Sequence, residues 1–229
     1  MFKIILFVLF FLALYWLVPF LLTAGAGIGV VKRKETSEKV AFTFDDGPNP
    51  IYTPQLLDLL KKNNIKATFF VVGSKAEKYP ELLSRMHAEG HLIGMHNYVH
   101  KSNWVMAPWT VRKHLTKTSS IIEKITGERP IYYRPPWGLL TLVDFLLMKP
   151  YKIIHWSVMA DDWSSKGGSA KVEKRLLQSI KKGAVVLLHD CGETAGADVD
   201  APINTITALK KVFKELSDRG MSCVRLDEM

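Results

Sequence analysis

The sequence predicts an α/β fold: a parallel sheet with helices packed outside it. Two observations carry this. From Val40 onward, short apolar runs rich in β-branched and aromatic residues alternate with longer stretches of helical periodicity. The residues able to do chemistry also fall just after the apolar runs: Asp45 and Asp46, His96, Arg134, Asp162 and His189. In parallel α/β folds the carboxyl ends of the strands share one face, and sites are built there. About seven strand–helix units fit either a barrel or a doubly wound sheet, and periodicity does not separate the two.

The chain has 229 residues and a formal net charge of +9. Its first part is of another kind. No charged residue lies between Ile4 and Val31, and Ile4 to Leu22 is nearly all Phe, Leu, Ile and Val. That is long enough to cross a bilayer as a helix. Residues 1–31 are therefore read as a signal anchor or signal peptide, 32–39 as a polar linker and 40–229 as one domain. Ala24-Gly25-Ala26 offers a small-residue cleavage site. The apolar run exceeds a usual signal-peptide core, which favours an uncleaved, single-pass anchor. Lys32-Arg33-Lys34 would weakly hold the domain inside the cell, whereas an N-terminal leader of this form exports the domain behind it, and the latter is favoured. The domain is then extracytoplasmic, or secreted if the leader is cleaved. No basic run is interleaved with aromatics, so nucleic acid is not an expected partner. Cys191 and Cys223 are the only cysteines, with no metal-pair spacing and at most one disulfide between them.

In order, Val40–Phe44 is a buried strand, ended by two carboxylates and Gly47-Pro48. Tyr52 to Lys62 sets Leu56, Leu57, Leu59 and Leu60 at helical spacing behind Thr53-Pro54. Lys66–Val72 is a strand, Ala76–Ala88 a helix and His91–Met95 a strand leading into a histidine-bearing loop. Trp109–Thr126 is a long helix stopped by Gly127. Ile131–Tyr133 is a strand broken by Arg134-Pro135-Pro136, Leu139–Met148 is helical, and Tyr151–Val158 is one strand. Lys171–Lys181 is a helix, Ala184–Leu188 a strand, Pro202–Arg219 a helix and Met221–Leu226 the last strand.

Adjacent carboxylates repel, so holding Asp45 beside Asp46 calls for a cation or a shared proton. One of them can ligate a metal while the other stays free as a base. His96 and His100 stand four apart, on one face if the stretch is helical. Two imidazoles and a carboxylate leave positions open for water. The spacing alone is a weak signal; joined to Asp45-Asp46 it is a strong one. Arg134, on a backbone stiffened by two prolines, can orient a carboxylate. Asp162 can orient a histidine, and the Trp163 indole can wall a sugar. His189, ending an apolar strand, can serve as a general acid. His87, His91, His114 and His155 are given no chemical role, and Trp104 and Trp109 either shape a groove or pack.

Together these residues resemble the polysaccharide deacetylase family, the NodB-homology domain of carbohydrate esterase family 4, over Val40 to Met229. Thr-Phe-Asp-Asp-Gly-Pro at 43–48 is similar to the first motif, which implies Asp45 as catalytic base and Asp46 as metal ligand. His96 and His100 resemble the second motif's ligands. Arg134-Pro135-Pro136-Trp137-Gly138 resembles the third, which implies that Arg134 orients the base and that the Trp137 backbone N–H helps hold the oxyanion. Asp162-Trp163 resembles the fourth, and Leu187-Leu188-His189 the fifth, with His189 as general acid and Leu187 beside the substrate. The resemblance implies a distorted (β/α) barrel of about seven strands. There are departures: Asn97 stands where Ser or Thr is usual, Trp137 where Tyr is common, and Met159 where an Asp begins the fourth motif, with Asp161 nearby.

The implied activity is metal-dependent removal of N-acetyl groups from an N-acetylglucosamine-containing envelope glycan: peptidoglycan, a chitin-like oligomer or a glycolipid. One divalent ion is implied, zinc by default, with cobalt, nickel or manganese also suited to the donor set. Two alternatives stand beside it: a catalytically silent, envelope-anchored glycan-binding module, with Met159 and Asn97 as signs of decay, and an O-acetyl esterase.

Overall fold

The computed structural model describes residues 1–147 and 149–229. The eight strands are β1 Val40–Asp45, β2 Thr68–Val71, β3 Leu92–Met95, β4 Tyr132–Tyr133, β5 Lys152–Ile153, β6 Val158–Met159, β7 Val185–His189 and β8 Cys223–Val224. Seven of them run in the order β5-β4-β3-β2-β1-β7-β6, all parallel, and β8 pairs with the first residues of β1. The sheet curls into a barrel that is open between its two edges, β5 and β6.

β1 sits in the middle and is buried on both faces, in keeping with the apolar residues Val40, Ala41, Phe42 and Phe44 that dominate it. Alternation along it separates two environments. Phe42 and Phe44 turn outward to the helical layer, Phe42 meeting Phe213 edge-on at 5.1 Å and Phe44 stacking on Phe69 at 5.3 Å. Thr43 and Asp45 turn into the curl. There a small apolar cluster of Phe70, Tyr132, Ile154 and Val185 fills the inside. Helices Tyr52–Lys62, Pro108–Thr126, Gly168–Ser179 and Ala201–Asp218 cover the outside with their apolar stripes.

Three expected elements come out differently. The helix expected over Ala76–Ala88 is two, Gly73–Lys78 and Pro80–Ala88, because Pro80 pushes Tyr79 to an extended φ of −127°. Of the helix expected over Leu139–Met148, Leu142–Leu147 is helical, and Met148 lies outside the described residues. The single strand expected over Tyr151–Val158 is β5 and β6, which lie at opposite edges of the sheet. Arg134 explains the break: its Nε donates to the carbonyl of Ile154 (3.3 Å) and its Nη2 to that of His155 (2.9 Å), so this backbone turns inward instead of extending a ladder.

The N-terminal apolar segment is a helix over Phe2–Gly25. Pro19 lacks an N–H to give its own turn, and the backbone takes wider π-type turns over Ala13–Leu17 and Leu21–Gly25. Thr23 Oγ1 donates one turn back to the Pro19 carbonyl (2.9 Å). The polar stretch after the helix runs along the open edge. Val31 bridges to Ile154 and Arg33 to Ala184, and Lys32 Nζ caps the helix at the Ala24 carbonyl (2.6 Å).

Phe213 is buried against β1, and its truncation leaves a ring-sized hole in a layer with no slack. Phe213→Ala should lower unfolding free energy by about 3–5 kcal/mol, read as a shifted midpoint at unchanged slope in urea unfolding of the detergent-solubilised chain.

Candidate active site

The first carboxylate pair sits where β1 ends. Neighbours on a strand point to opposite faces, yet both Asp45 and Asp46 reach one cleft. The backbone achieves this by turning left-handed at Asp46 (φ 77°). Gly47 follows because nothing larger fits: a Cβ there would lie 2.2 Å from the Asp190 carboxylate.

Arg134, at the end of β4, is fully buried beneath Asp45. Its Nη1 donates to Asp45 Oδ1 and to Thr43 Oγ1, both at 2.7 Å, and its guanidinium lies 4.3 Å from the centre of the Phe70 ring. Acceptors and a π face thus surround the cation, which is what a buried guanidinium needs.

His96 and His100 follow β3. The stretch between them is a bent loop, not the helix considered from their spacing. Asn97 makes the bend at φ 60°, a conformation Asn tolerates better than most residues. Its side chain is buried in a network: Tyr133 Oη donates to Asn97 Oδ1 (3.0 Å), and Asn97 Nδ2 donates to Asn103 Oδ1 (2.9 Å) and the Lys101 carbonyl (3.0 Å). Asn97 therefore shapes the loop and does not line the cleft. His96 Nδ1 donates to the Arg134 carbonyl (2.7 Å), which leaves its Nε2 lone pair facing the cleft.

Both Nε2 atoms converge on one oxygen. Asp46 Oδ1 lies 3.3 Å from that of His96 and 3.2 Å from that of His100. It is buried and has no hydrogen-bond partner. The ligand atoms of Asp46, His96 and His100 all lie within 4.8 Å of one another. An orphaned carboxylate oxygen beside two imidazole lone pairs suits a borderline divalent cation, so the residues fit the implied ion. Burial by itself raises the Asp46 pKa, but the surrounding imidazoles of His96, His189 and His100 hold it far below the usual range. Burial lowers His100 to about 4, which keeps its imidazole neutral and able to ligate.

On the far side, β7 ends at His189. Its Nδ1 pairs with Asp162 Oδ1 (2.9 Å), while Asp162 Oδ2 accepts from the His189 backbone N–H and from Thr205 Oγ1, both at 2.9 Å. Burial opposes the imidazolium, yet Asp162, through charge and hydrogen bond, then Asp46 and Asp45, push His189 up to about 9. Asp161 plays no part here, because its left-handed backbone (φ 49°) turns the side chain to Arg175.

Between these two halves lies a cleft of about 360 Å³, walled by Trp137, Trp156, Met159, Trp163 and Leu187. The Trp137 ring sits 4.4 Å from that of His100, and Trp163 meets His189 edge-on at 5.9 Å. All ten residues singled out from the sequence thus lie in or against one cleft. Thr194 was not legible: it belongs to a loop with no motif, and its hydroxyl donates to Asp46 Oδ2 (2.6 Å). Thr43, in β1, and Thr205, in helix Ala201–Asp218, hold Arg134 and Asp162 and were also missed, because each looks like an ordinary polar residue of its element. Cys191 and Cys223 are both free thiols, so the disulfide considered from the sequence is not formed.

Residues 32–143 match the family model described as polysaccharide deacetylase. The chain is 36% identical over 194 residues to a peptidoglycan-N-acetylglucosamine deacetylase of Bacillus cereus, covering 83% of this chain and 68% of the relative. It is 35% identical over 190 residues to the peptidoglycan-N-acetylmuramic acid deacetylase PdaC of Bacillus subtilis, covering 83% of this chain but 38% of that longer protein. The solved structure of a peptidoglycan N-acetylglucosamine deacetylase, in complex with a naphthyl N-hydroxybenzamide, superposes with a TM-score of 0.80 at 32% identity, covering 87% of this chain and 91% of that one.

Thr194 fixes the Asp46 oxygen that faces away from the histidines, and so aims the other. Thr194→Val should weaken divalent-metal binding by roughly 10–100-fold in calorimetric titration with zinc, with the thermal midpoint of the metal-free chain little changed.

Proposed function

We propose that this chain, which belongs to the polysaccharide deacetylase family, is a metal-dependent hydrolase that removes the N-acetyl group from an N-acetylglucosamine-containing envelope glycan. The observation that carries the reading is the convergence of two independent carboxylate–cation pairs, Asp45–Arg134 and Asp162–His189, on opposite sides of a three-ligand cluster.

Asp46, His96 and His100 would hold the ion. Bound there, a divalent cation supplies Lewis acidity, lowering the pKa of water and polarising an acyl oxygen. The chain's own groups do the rest. Asp45 is held by Arg134 with Oδ1 occupied, which leaves Oδ2 to accept a proton from the attacking water. The water oxygen bonds to the acetyl carbon, and the Trp137 backbone N–H donates to the oxygen that gains charge, a contribution of a few kcal/mol. His189, kept protonated by Asp162, donates its Nε2 proton to the amide nitrogen as the C–N bond breaks. The products are acetate and a free amino sugar. Trp137, Trp163 and Leu187 line the place the sugar would occupy.

The silent-module alternative expected decay at Asn97 and Met159. Asn97 is instead part of the buried network that shapes the histidine loop, and Met159 lines the cleft without displacing a ligand, the base or the acid. The apolar N-terminal helix supports a domain held at a membrane, and an envelope substrate requires the domain to lie on its outer side.

Three measurements test this. Chelation followed by single-metal reloading should abolish and then restore acetate release from N-acetylglucosamine oligomers or peptidoglycan; no release with any metal refutes the reading. Asp45→Asn should reduce kcat by at least about 10³-fold while zinc still binds with unchanged stoichiometry. Asp162→Asn removes the charge that raises His189, so the alkaline limb of the kcat profile should move to lower pH. An unmoved limb would take the acid role away from His189.

A further inference from the structure

The N-terminal helix is too short to cross a membrane clear of its own domain. Its 24 residues, Phe2–Gly25, measure roughly 36 Å at 1.5 Å per residue. Only Phe2–Leu12 is exposed throughout, and that part reaches roughly 16 Å, about half of a 30 Å hydrocarbon core. Beyond it one side of the helix lies against the domain, while Leu17, Leu21 and Leu22 stay exposed. Ala13–Leu17 packs on helix Leu142–Leu147, Pro19 and Thr23 are buried, and Phe20 meets Trp104 edge-on at 6.1 Å. If the helix spans, this shoulder of the domain enters the near leaflet with it.

The shoulder is built for that. Val105 is 68% exposed, Trp109 75% and Leu142 44%. Helix Leu142–Leu147 carries one charged residue, Asp144, and it is turned inward to the Thr141 backbone N–H (2.7 Å) and Asn103 Nδ2 (3.2 Å). Exposed Lys101 precedes Val105, exposed Arg112 and Lys113 follow Trp109, and exposed Lys149 follows the helix, on stems long enough to reach lipid headgroups.

The shoulder and the cleft are made by the same two connections. The segment after β3 carries His96 and His100 and then Trp104 and Val105. The segment after β4 carries Arg134 and Trp137 and then Leu140 and Leu142. Trp104 Nε1 donates to the Leu140 carbonyl (3.0 Å), which locks the two together. A membrane that receives the shoulder therefore lies beside the mouth of the cleft.

We propose that Val105, Trp109 and Leu142 form a bilayer-embedded shoulder that sets the cleft at headgroup level, and that the substrate is an N-acetylated sugar carried on a membrane lipid. This rests on the deacetylase reading above and names its substrate class. The occupant of the apolar surface is lipid, because the apolar helix is already seated on it: Phe20 meets Trp104, next to Val105, and Ala13–Leu17 packs on helix Leu142–Leu147.

The test uses the full chain in phosphatidylethanolamine–phosphatidylglycerol vesicles, with photoreactive benzoylphenylalanine at position 105, 142 or 62. Lys62 is exposed at the end of helix Tyr52–Lys62, away from the shoulder. Mass spectrometry should find lipid adducts at 105 and 142 and not at 62. Adducts no more frequent at 105 and 142 than at 62, or a chain released from the vesicles by cleavage after Ala26, overturn the proposal. In the same vesicles, the double variant Val105→Glu with Leu142→Glu should lose about tenfold turnover of an N-acetylglucosaminyl lipid while a soluble N-acetylglucosamine oligomer stays within about twofold. Equal loss on both substrates, no loss on either, or turnover of the soluble oligomer alone overturns the lipid-linked assignment. If the parent chain deacetylates neither substrate, the deacetylase reading fails, and the lipid adducts still decide the shoulder.

Discussion

Two carboxylates side by side, buried at the end of the central strand, are the constraint on which the rest of the structure depends. Asp45 and Asp46 are each nearly inaccessible to water, and neither charge would survive there alone. The fold answers each with different groups. Asp45 receives the Arg134 guanidinium. Asp46 receives the Nε2 atoms of His96 and His100 and the Thr194 hydroxyl, leaving Oδ1 without a hydrogen-bond partner. The first arrangement is self-sufficient and the second is incomplete, so one carboxylate is fixed as part of the scaffold's electrostatics and the other is left in want of an ion.

The consequences of Arg134 run well beyond Asp45. A buried ion pair is a poor source of stability unless every remaining donor is satisfied. Beside the bond to Asp45, Arg134 places three more of its donors, on Thr43 from β1 and on the carbonyls of Ile154 and His155 from the connection between β5 and β6. Those carbonyls are lost to any ladder, which is why the chain leaves one edge of the sheet and re-enters at the other. The opening in the barrel and the fixing of Asp45 thus have one cause. Asp162 does the same on a smaller scale. It draws the β7 backbone, the His189 ring and Thr205 of helix Ala201–Asp218 onto two oxygens.

The legible parts of the sequence are those that these pairings punctuate. β1 could be read because burial on both faces leaves a run that is apolar but for Thr43, and its end could be read because two acids and Gly-Pro forbid continuation. The strand-end placement of His96, Arg134, Asp162 and His189 was readable by the same logic, since each punctuates an apolar run. Tyr151–Val158 was misread because its composition is that of a strand, and the groups that break it come from Arg134, some 20 residues upstream. The His96–His100 spacing admitted a helix, and the left-handed bend at Asn97 is set by Tyr133 and Asn103. Thr194 carries no local signal at all, because its role exists only once a loop 148 residues from Asp46 has folded over it. Local composition marks where a segment must stop; it does not say what captures the segment afterwards.

The same distinction explains how the N-terminal helix relates to the domain. Its hydropathy says that it suits a bilayer, and nothing in its own residues says how deep the domain sits. That depth is decided by which turns of the helix are already occupied by the domain. Trp104 meets the helix through Phe20 and meets the site-bearing connection through Leu140. The histidine loop cannot move relative to the helix without breaking one of these contacts. A membrane that holds the helix therefore also fixes the orientation of the cleft, through two loops whose shape the site itself requires.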